Sequence, residues 1–334
     1  MRVHARRVRN LSIAELARFV RARGELLADG WEAHELDRTG EGSPFHRVHR
    51  NRYVPRTLWS EMWPESRHRT EVIAATMEMQ GGAGVVSHLS AAVVLGLPVF
   101  KHRPREVEFT VCGKLRAASR SGIRRHLDRL ESVDVVMVDG IRCTSLERTV
   151  FDVARLYPAE VALACMDASL RSISVDGQRW DAAAHDDWKE RMAARTRDSV
   201  GARGIKQARW LIDLADGRAQ LPGESVSRLQ LIRLGFARPL LQVPVPSPGG
   251  GSYWVDFALH DVNAWGEFDG KDKYLDEAMR CGRSLEEVLL DEKSREDWIR
   301  GRSQWRFARW GDADIGSPDA LRRRLAAFGI RAPR

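Results

Sequence analysis

The sequence predicts a mixed α/β fold of the α+β kind, and three observations point to it. Tyr253–Asp269 reads as two adjacent strands, because apolar and polar residues alternate through it. Capped helical segments alternate with strand-like runs elsewhere: Ser12, Ser87 and Ser145 each precede an apolar-periodic stretch. The length, 334 residues, exceeds what one small core organises and suggests two or three units.

Residues 1–60 form the first expected unit. Ser12 with Glu15 starts a helix in which Ile13, Leu16, Ala17 and Val20 share a face. Phe45–Pro55 alternates as a strand pair with Arg47, Arg50 and Arg52 interleaved. Helices followed by a basic ribbon is the order of a winged helix, with these arginines on DNA phosphates. A small helical cap with a solvated basic hairpin is the alternative. Residues 61–200 form the second unit. Thr70–Gln80 is amphipathic, and Ser87 caps a helix that Pro98 stops. Glu106–Val111 and Val133–Val138 are strands. Ser145 and Ala159 open two further helices. Gly81–Gly84 is a turn, since it lacks the Gly-Lys-Ser/Thr of a phosphate loop. Asp176–Gly204 is polar and reads as a linker, in part helical.

Residues 205–334 form the third unit. Pro222-Gly223 lead into a helix from Glu224 to Leu234, closed by Gly235. Leu240–Pro246 is a strand whose prolines place it at an edge. Ser284 and Glu287 form a capping box for a helix that Gly301 ends, and Trp305–Trp310 is the last strand. The expected order is therefore α-β-β-β-α-β.

Composition narrows the function. A net charge of +8 favours polyanions, nucleic acid first. The four cysteines are scattered without metal-site spacing, which predicts reduced thiols in a cytoplasmic protein. No secretory leader is expected, because the arginine-containing N-terminus lacks an apolar run; Ala91–Phe100 is too short to span a bilayer, so no membrane partner is expected. There is no G-x-S-x-G and no Cys/His arrangement for covalent catalysis.

The strand pair carries the chemistry. Val255 and Phe257 face one way and Asp256 the other; Glu267 and Asp269 likewise oppose Phe268. Paired, the strands bring three carboxylates to one face, where they repel unless something positive lies between them. A hard divalent cation such as Mg²⁺ or Mn²⁺ suits oxygen ligands. A solvated strand face is the plain alternative. The run V-D-F…E-F-D-G-K, spanning Val255–Lys271, resembles the PD-(D/E)xK nuclease superfamily, and within it the domain of the very-short-patch-repair endonuclease. The resemblance implies a restriction-endonuclease-like core with a central mixed sheet flanked by helices. It implies a metal held by Asp256, Glu267 and the carbonyl of Phe268, and a Glu on the first helix, Glu224, reaching the site. Gln242 matches a Gln near the site in that family. Asp269 stands where the superfamily usually has Lys; Lys271 is the candidate replacement, to polarise the attacking water. Lys293 and Arg295 on the capped helix are candidate phosphate contacts or a solvated face. His88, beside apolar positions, reads as structural rather than as a ligand.

The pieces SHLSAAVVLGLPV, VDGIRCTSLERTVFDVA and MDASLRS resemble the antitoxin-like region of type IV abortive-infection systems, which in actinobacteria stands upstream of such a nuclease-like domain. Together the two resemblances imply a metal-dependent DNA endonuclease with an N-terminal DNA-binding or regulatory region. The alternative is an antitoxin-like DNA-binding transcriptional regulator with a catalytically inactive nuclease fold. DNA is the expected partner, and a homodimer is compatible with either.

Overall fold

A computed structural model describes residues 11–38, 40, 42–79, 84–112, 122–177, 179–270 and 285–333. The fold is α+β, with both parallel and antiparallel pairs in its sheets. It divides into two compact units, residues 1–157 with 201–208, and residues 158–200 with 209–334.

The first unit begins α1 (Ile13–Phe19), β1 (Arg21–Ala22), α2 (Arg23–Ala28), α3 (Ala33–Asp37), β2 (Phe45–His49), β3 (Arg52–Pro55). Ser12 caps the helix as predicted, and Glu15 completes a capping box with it. β3 lies between β1 and β2 in an antiparallel sheet, so the order is helices followed by a ribbon, as the sequence predicts. α4 (Arg56–Glu61), α5 (Pro64–Glu78), β4 (Val85–Val86), α6 (His88–Val94), β5 (Val107–Val111), β6 (Ile123–Leu127), β7 (Val135–Val138), β8 (Ile141–Thr144) and α7 (Leu146–Leu156) follow. The five-stranded sheet runs β6-β5-β4-β8-β7. One core takes Ile13, Leu16 and Val54 together with Val72, Phe109 and Cys143, so these elements pack as a single body across residue 60. Ser87 does not cap α6 as expected; its hydroxyl meets the Nδ1 of His88, 2.9 Å away.

The second unit opens with α8 (Ala159–Ser174), the ribbon β9 (Val175–Asp176) and β10 (Arg179–Trp180), and α9 (Ala182–Asp198). The expected linker is thus mostly helix: Trp188 and Met192, four residues apart, bury one stripe of a charged helix. α10 (Ile205–Leu214) precedes α11 (Pro222–Arg233), β11 (Leu240–Pro246), β12 (Ser252–Leu259), β13 (Ala264–Asp269), α12 (Leu285–Ser303), β14 (Arg306–Gly311) and α13 (Pro318–Ala327). The sheet order is β11-β12-β13-β14, antiparallel except for the last pair, which α12 joins as a parallel crossover. β11 is the edge strand that Pro244 and Pro246 predict. α12 runs through Gly301 rather than ending there, and Ser284 lies outside the described residues.

Two close approaches fix the sheet. Gly266 lies under Trp310: a Cβ there would sit 2.2 Å from the indole ring. Trp310 in turn stacks on Phe257 and donates its indole N–H to Ser227 on α11 at 2.8 Å. Asp167 on α8 and Arg228 on α11 form a buried ion pair at 2.7 Å that ties these helices together.

Candidate functional site

β12 and β13 pair through Leu259↔Ala264 to Phe257↔Gly266. One residue further along each strand stand Asp256 and Glu267. Here the Asp256 carboxylate itself takes the place of a rung, accepting the backbone N–H of Phe268 at 2.9 Å. Its other oxygen accepts from the side-chain amide of Gln242, 3.1 Å away on β11. The same amide reaches Glu224 at 3.3 Å, and Glu224 also accepts the backbone N–H of Gln220 at 2.9 Å. Gln242 adopts φ +48°, a left-handed conformation that costs a side-chain-bearing residue on the order of 1 kcal/mol. That strained residue bridges two carboxylates.

Asp256, Glu267 and Asp269 open on one cleft of about 490 Å³, which Phe268 also lines. Asp256 and Glu267, expected on one face, therefore share a face. Glu224 does not line the cleft: it is 2% exposed and linked to Asp256 through Gln242. The positive charge among the acids comes from arginine. Arg295 approaches one oxygen of Glu267 at 2.6 Å and Arg309 the other at 3.0 Å. Arg309 also contacts Glu296 at 3.1 Å, and Asp269 and Glu292 at 3.6 Å each. Burial pushes the Glu267 carboxyl up; Arg295 and Arg309 pull it down, and Asp256 pushes it up further, with the net direction upward.

Arg295, expected on phosphate, thus points into the carboxylates, while Lys293 is exposed. Arg309 was not legible as a site residue: it enters because β14 pairs parallel with β13 in the register Glu267↔Arg309. Lys271 lies outside the described residues. In the first unit Arg47 and Arg50 are exposed, but Arg52 is drawn onto Glu78 at 2.7 Å because the β3 backbone faces it toward α5. His88 is buried and stacks on His126, centroids 3.6 Å apart; burial lowers its pKa to about 3. Cys143 and Cys165 are buried thiols, pushed up to about 11 and about 12 by burial, far from nucleophilic form at neutral pH.

Two carboxylates, a backbone carbonyl and room for water is the usual protein contribution to a Mg²⁺ site. Among the described residues, no three His, Cys, Asp or Glu side chains form a ready cage, as a cation that keeps several waters does not need one. The charge balance also fits a hard cation. Asp256, Glu267, Asp269, Glu292 and Glu296 stand around the cleft against Arg171, Arg218, Arg295 and Arg309, and the acids are concentrated at the fork.

No known protein family matches the chain. Two relatives, uncharacterised proteins of Mycobacterium tuberculosis from strains CDC 1551 and H37Rv, are each 36% identical over 132 residues. That match covers 40% of this chain and 44% of each relative, so the chain spans less than half the length of the curated proteins it matches. No helix among the described residues is long and apolar enough to cross a membrane.

Proposed function

We propose that the chain is a divalent-metal-dependent DNA endonuclease, its second unit hydrolysing phosphodiester bonds and its N-terminal helices and ribbon holding DNA. The observation that carries this reading is the fork at the end of the β12–β13 ladder, where Asp256 and Glu267 open on one cleft. Mg²⁺ or Mn²⁺ held by Asp256, Glu267 and the Phe268 carbonyl would lower the pKa of a bound water and neutralise the scissile phosphate. The chain's own groups prepare for that. The Phe268 N–H and Gln242 amide fix both oxygens of Asp256, so its lone pairs keep one orientation. Arg295 and Arg309 hold Glu267 from two sides and offset the repulsion among the acids. Without a cation the three acids of the fork, Asp256, Glu267 and Asp269, would repel a phosphate placed on them, so binding of metal and of the scissile group would be coupled. Exposed Arg47 and Arg50 would contribute sequence-independent phosphate contacts, and affinity would fall steeply with salt.

The test is Asp256→Asn, assayed for Mg²⁺- or Mn²⁺-dependent cleavage of duplex, mismatched and single-stranded DNA. The expected loss of rate is about a thousandfold or more, on the order of 4 kcal/mol of transition-state stabilisation, with DNA affinity retained. One observation favours a second reading: both oxygens of Glu267 already carry a guanidinium. If wild type cuts no faster than Asp256→Asn, the protein is better read as an antitoxin-like DNA-binding regulator whose nuclease fold is silent.

A further inference from the structure

The cleft is lined by two unlike sets of groups. One is the carboxylate fork. The other is Trp180, Arg218, Arg171 and Trp254, none of which a metal-and-phosphate site requires. Trp180 comes from the β9–β10 ribbon and Trp254 from β12, where it is 39% exposed.

The wall is built rather than incidental. The buried Asp167–Arg228 pair anchors α8, the helix that leads into the ribbon, to α11. Asp167 also accepts the backbone N–H of Asp216 at 2.8 Å. Asp216 in turn grips Arg218 through two side-chain contacts, at 2.7 and 3.0 Å. Held that way, the Arg218 guanidinium lies over the Trp180 ring, 5.4 Å from its centroid. Arg171 is tied to the carbonyl of Gly217, 3.3 Å away. Three groups with flat faces or planar donors are thus held beside the acids, with Trp254 also on the lining, in a cavity the size of ordinary small-molecule sites.

An occupant that matches both sets has a flat π-face for the indole and guanidinium wall and an anionic group that a cation brings to the acids. A nucleotide has both, but a base paired and stacked inside a duplex cannot present its face there. We infer that the cleft takes a DNA strand with an unpaired base, single-stranded or extrahelical, and that Trp180 with Arg218 and Trp254 forms its stacking wall. This rests on the nuclease reading for the phosphate's place at the fork, while the stacking is testable without any cleavage.

The experiment uses the full chain with a chelator present, so that nothing is cut. Affinity is measured by fluorescence anisotropy for three labelled DNAs of related sequence: a single strand, a duplex with one unpaired base, and an intact duplex. Wild type should prefer the first two. Trp180→Ala should weaken both about tenfold or more and leave the intact duplex within about twofold, since stacking on one aromatic ring is worth that much. Trp180→Tyr should restore most of the preference. Trp254→Ala, on an exposed side chain, repeats the test should Trp180→Ala disturb the fold. Equal affinity of wild type for all three DNAs, or loss that is the same on all three with either alanine variant, overturns the inference. Selective stacking in a protein that never cleaves would sink the nuclease reading and leave this wall standing; cleavage indifferent to both tryptophans would do the reverse.

Discussion

Glu108 in the first unit and Glu267 in the second are buried almost equally, 3% and 6% exposed, yet their acidities move in opposite directions. Glu108 sits among donors. The Leu89 N–H and the His126 ring nitrogen each lie 3.1 Å away, and the Tyr157 hydroxyl also donates to it. Burial pushes its pKa up, but the His126 hydrogen bond, the nearby His88 and Tyr157 outweigh that, and it ends below the usual carboxylate range. Glu267 has two guanidiniums, yet its pKa ends raised, chiefly by burial and then by Asp256, which shares its cleft. One acid is saturated by its own fold. The other keeps a raised pKa although a guanidinium meets each of its oxygens.

The sharpest way to break this contrast is to remove both charges. Glu108→Gln should cost the first unit about 3 kcal/mol, because it loses hydrogen bonds to an ionised group and leaves buried donors mismatched. Glu267→Gln should cost less than that, since Arg309 keeps Glu296 and Arg295 keeps the Trp254 carbonyl. Urea unfolding of each variant reads this; equal losses would make Glu267 a structural residue and end the distinction.

A second test sharpens it by disturbing the frame without touching a charge. Gly266→Ala would press a methyl group into the Trp310 ring, which Ser227 holds in place, so either the ring or β13 must shift. The expected cost is about 2 kcal/mol, read as a lowered urea midpoint, with Glu267 displaced along with its strand. A fully tolerated alanine would mean that Trp310 does not fix the position of the fork.

The remaining test is a pH dependence. His88 is neutral in the fold, its pKa lowered to about 3 chiefly by burial and next by His126. The unfolded chain therefore binds the proton first as pH falls, and stability contributed by neutral His88 is lost from about pH 6.5 down toward pH 3. The Glu108 contribution, from a lowered carboxylate, fades in the same direction at the acid end. Glu267 runs the other way: with a raised pKa, its contribution is present at low pH and lost as pH rises through that value. His88→Asn, tolerant of the φ of +52° at this position, should remove up to about 1.4 kcal/mol per pH unit of the acid-side slope in denaturation measured at pH 7 and pH 4.5. An unchanged slope would show that His88 titrates normally.

The sequence makes one part of the site plain and hides another for a definite reason. Asp256 and Glu267 are legible because strand alternation has a period of two and both lie opposite runs of Val and Phe. Gln242 and Glu224 are legible through the family pattern, but not the strained backbone at Gln242 that joins them. Arg309 is invisible because its place depends on a parallel pairing that forms only after the chain has passed through α12, a register no local pattern encodes. Trp180 is hidden differently: it stands in the polar Asp176–Gly204 stretch, whose helix buries just two apolar side chains among the described residues, Trp188 and Met192. The short strands β4 and β6 and the boundary near residue 60 fail for a related reason. Two- and five-residue strands carry little periodicity, and a core shared between neighbouring stretches leaves no mark on either one.

The prolines of β11 bear on how copies of this chain can associate. Pro244 and Pro246 stand opposite Trp254 and Ser252 of β12 and have no N–H to give. In an antiparallel ladder such residues can be accommodated only where their nitrogens turn away from the partner strand, toward the open rim. That rim therefore offers carbonyls but lacks two donors in succession. An incoming strand from a second copy, or from a misfolded neighbour, would find half of its hydrogen bonds missing there. Growth of the sheet by strand addition is closed at this rim, and a homodimer of this protein has to be assembled from side chains rather than from backbone pairing along β11.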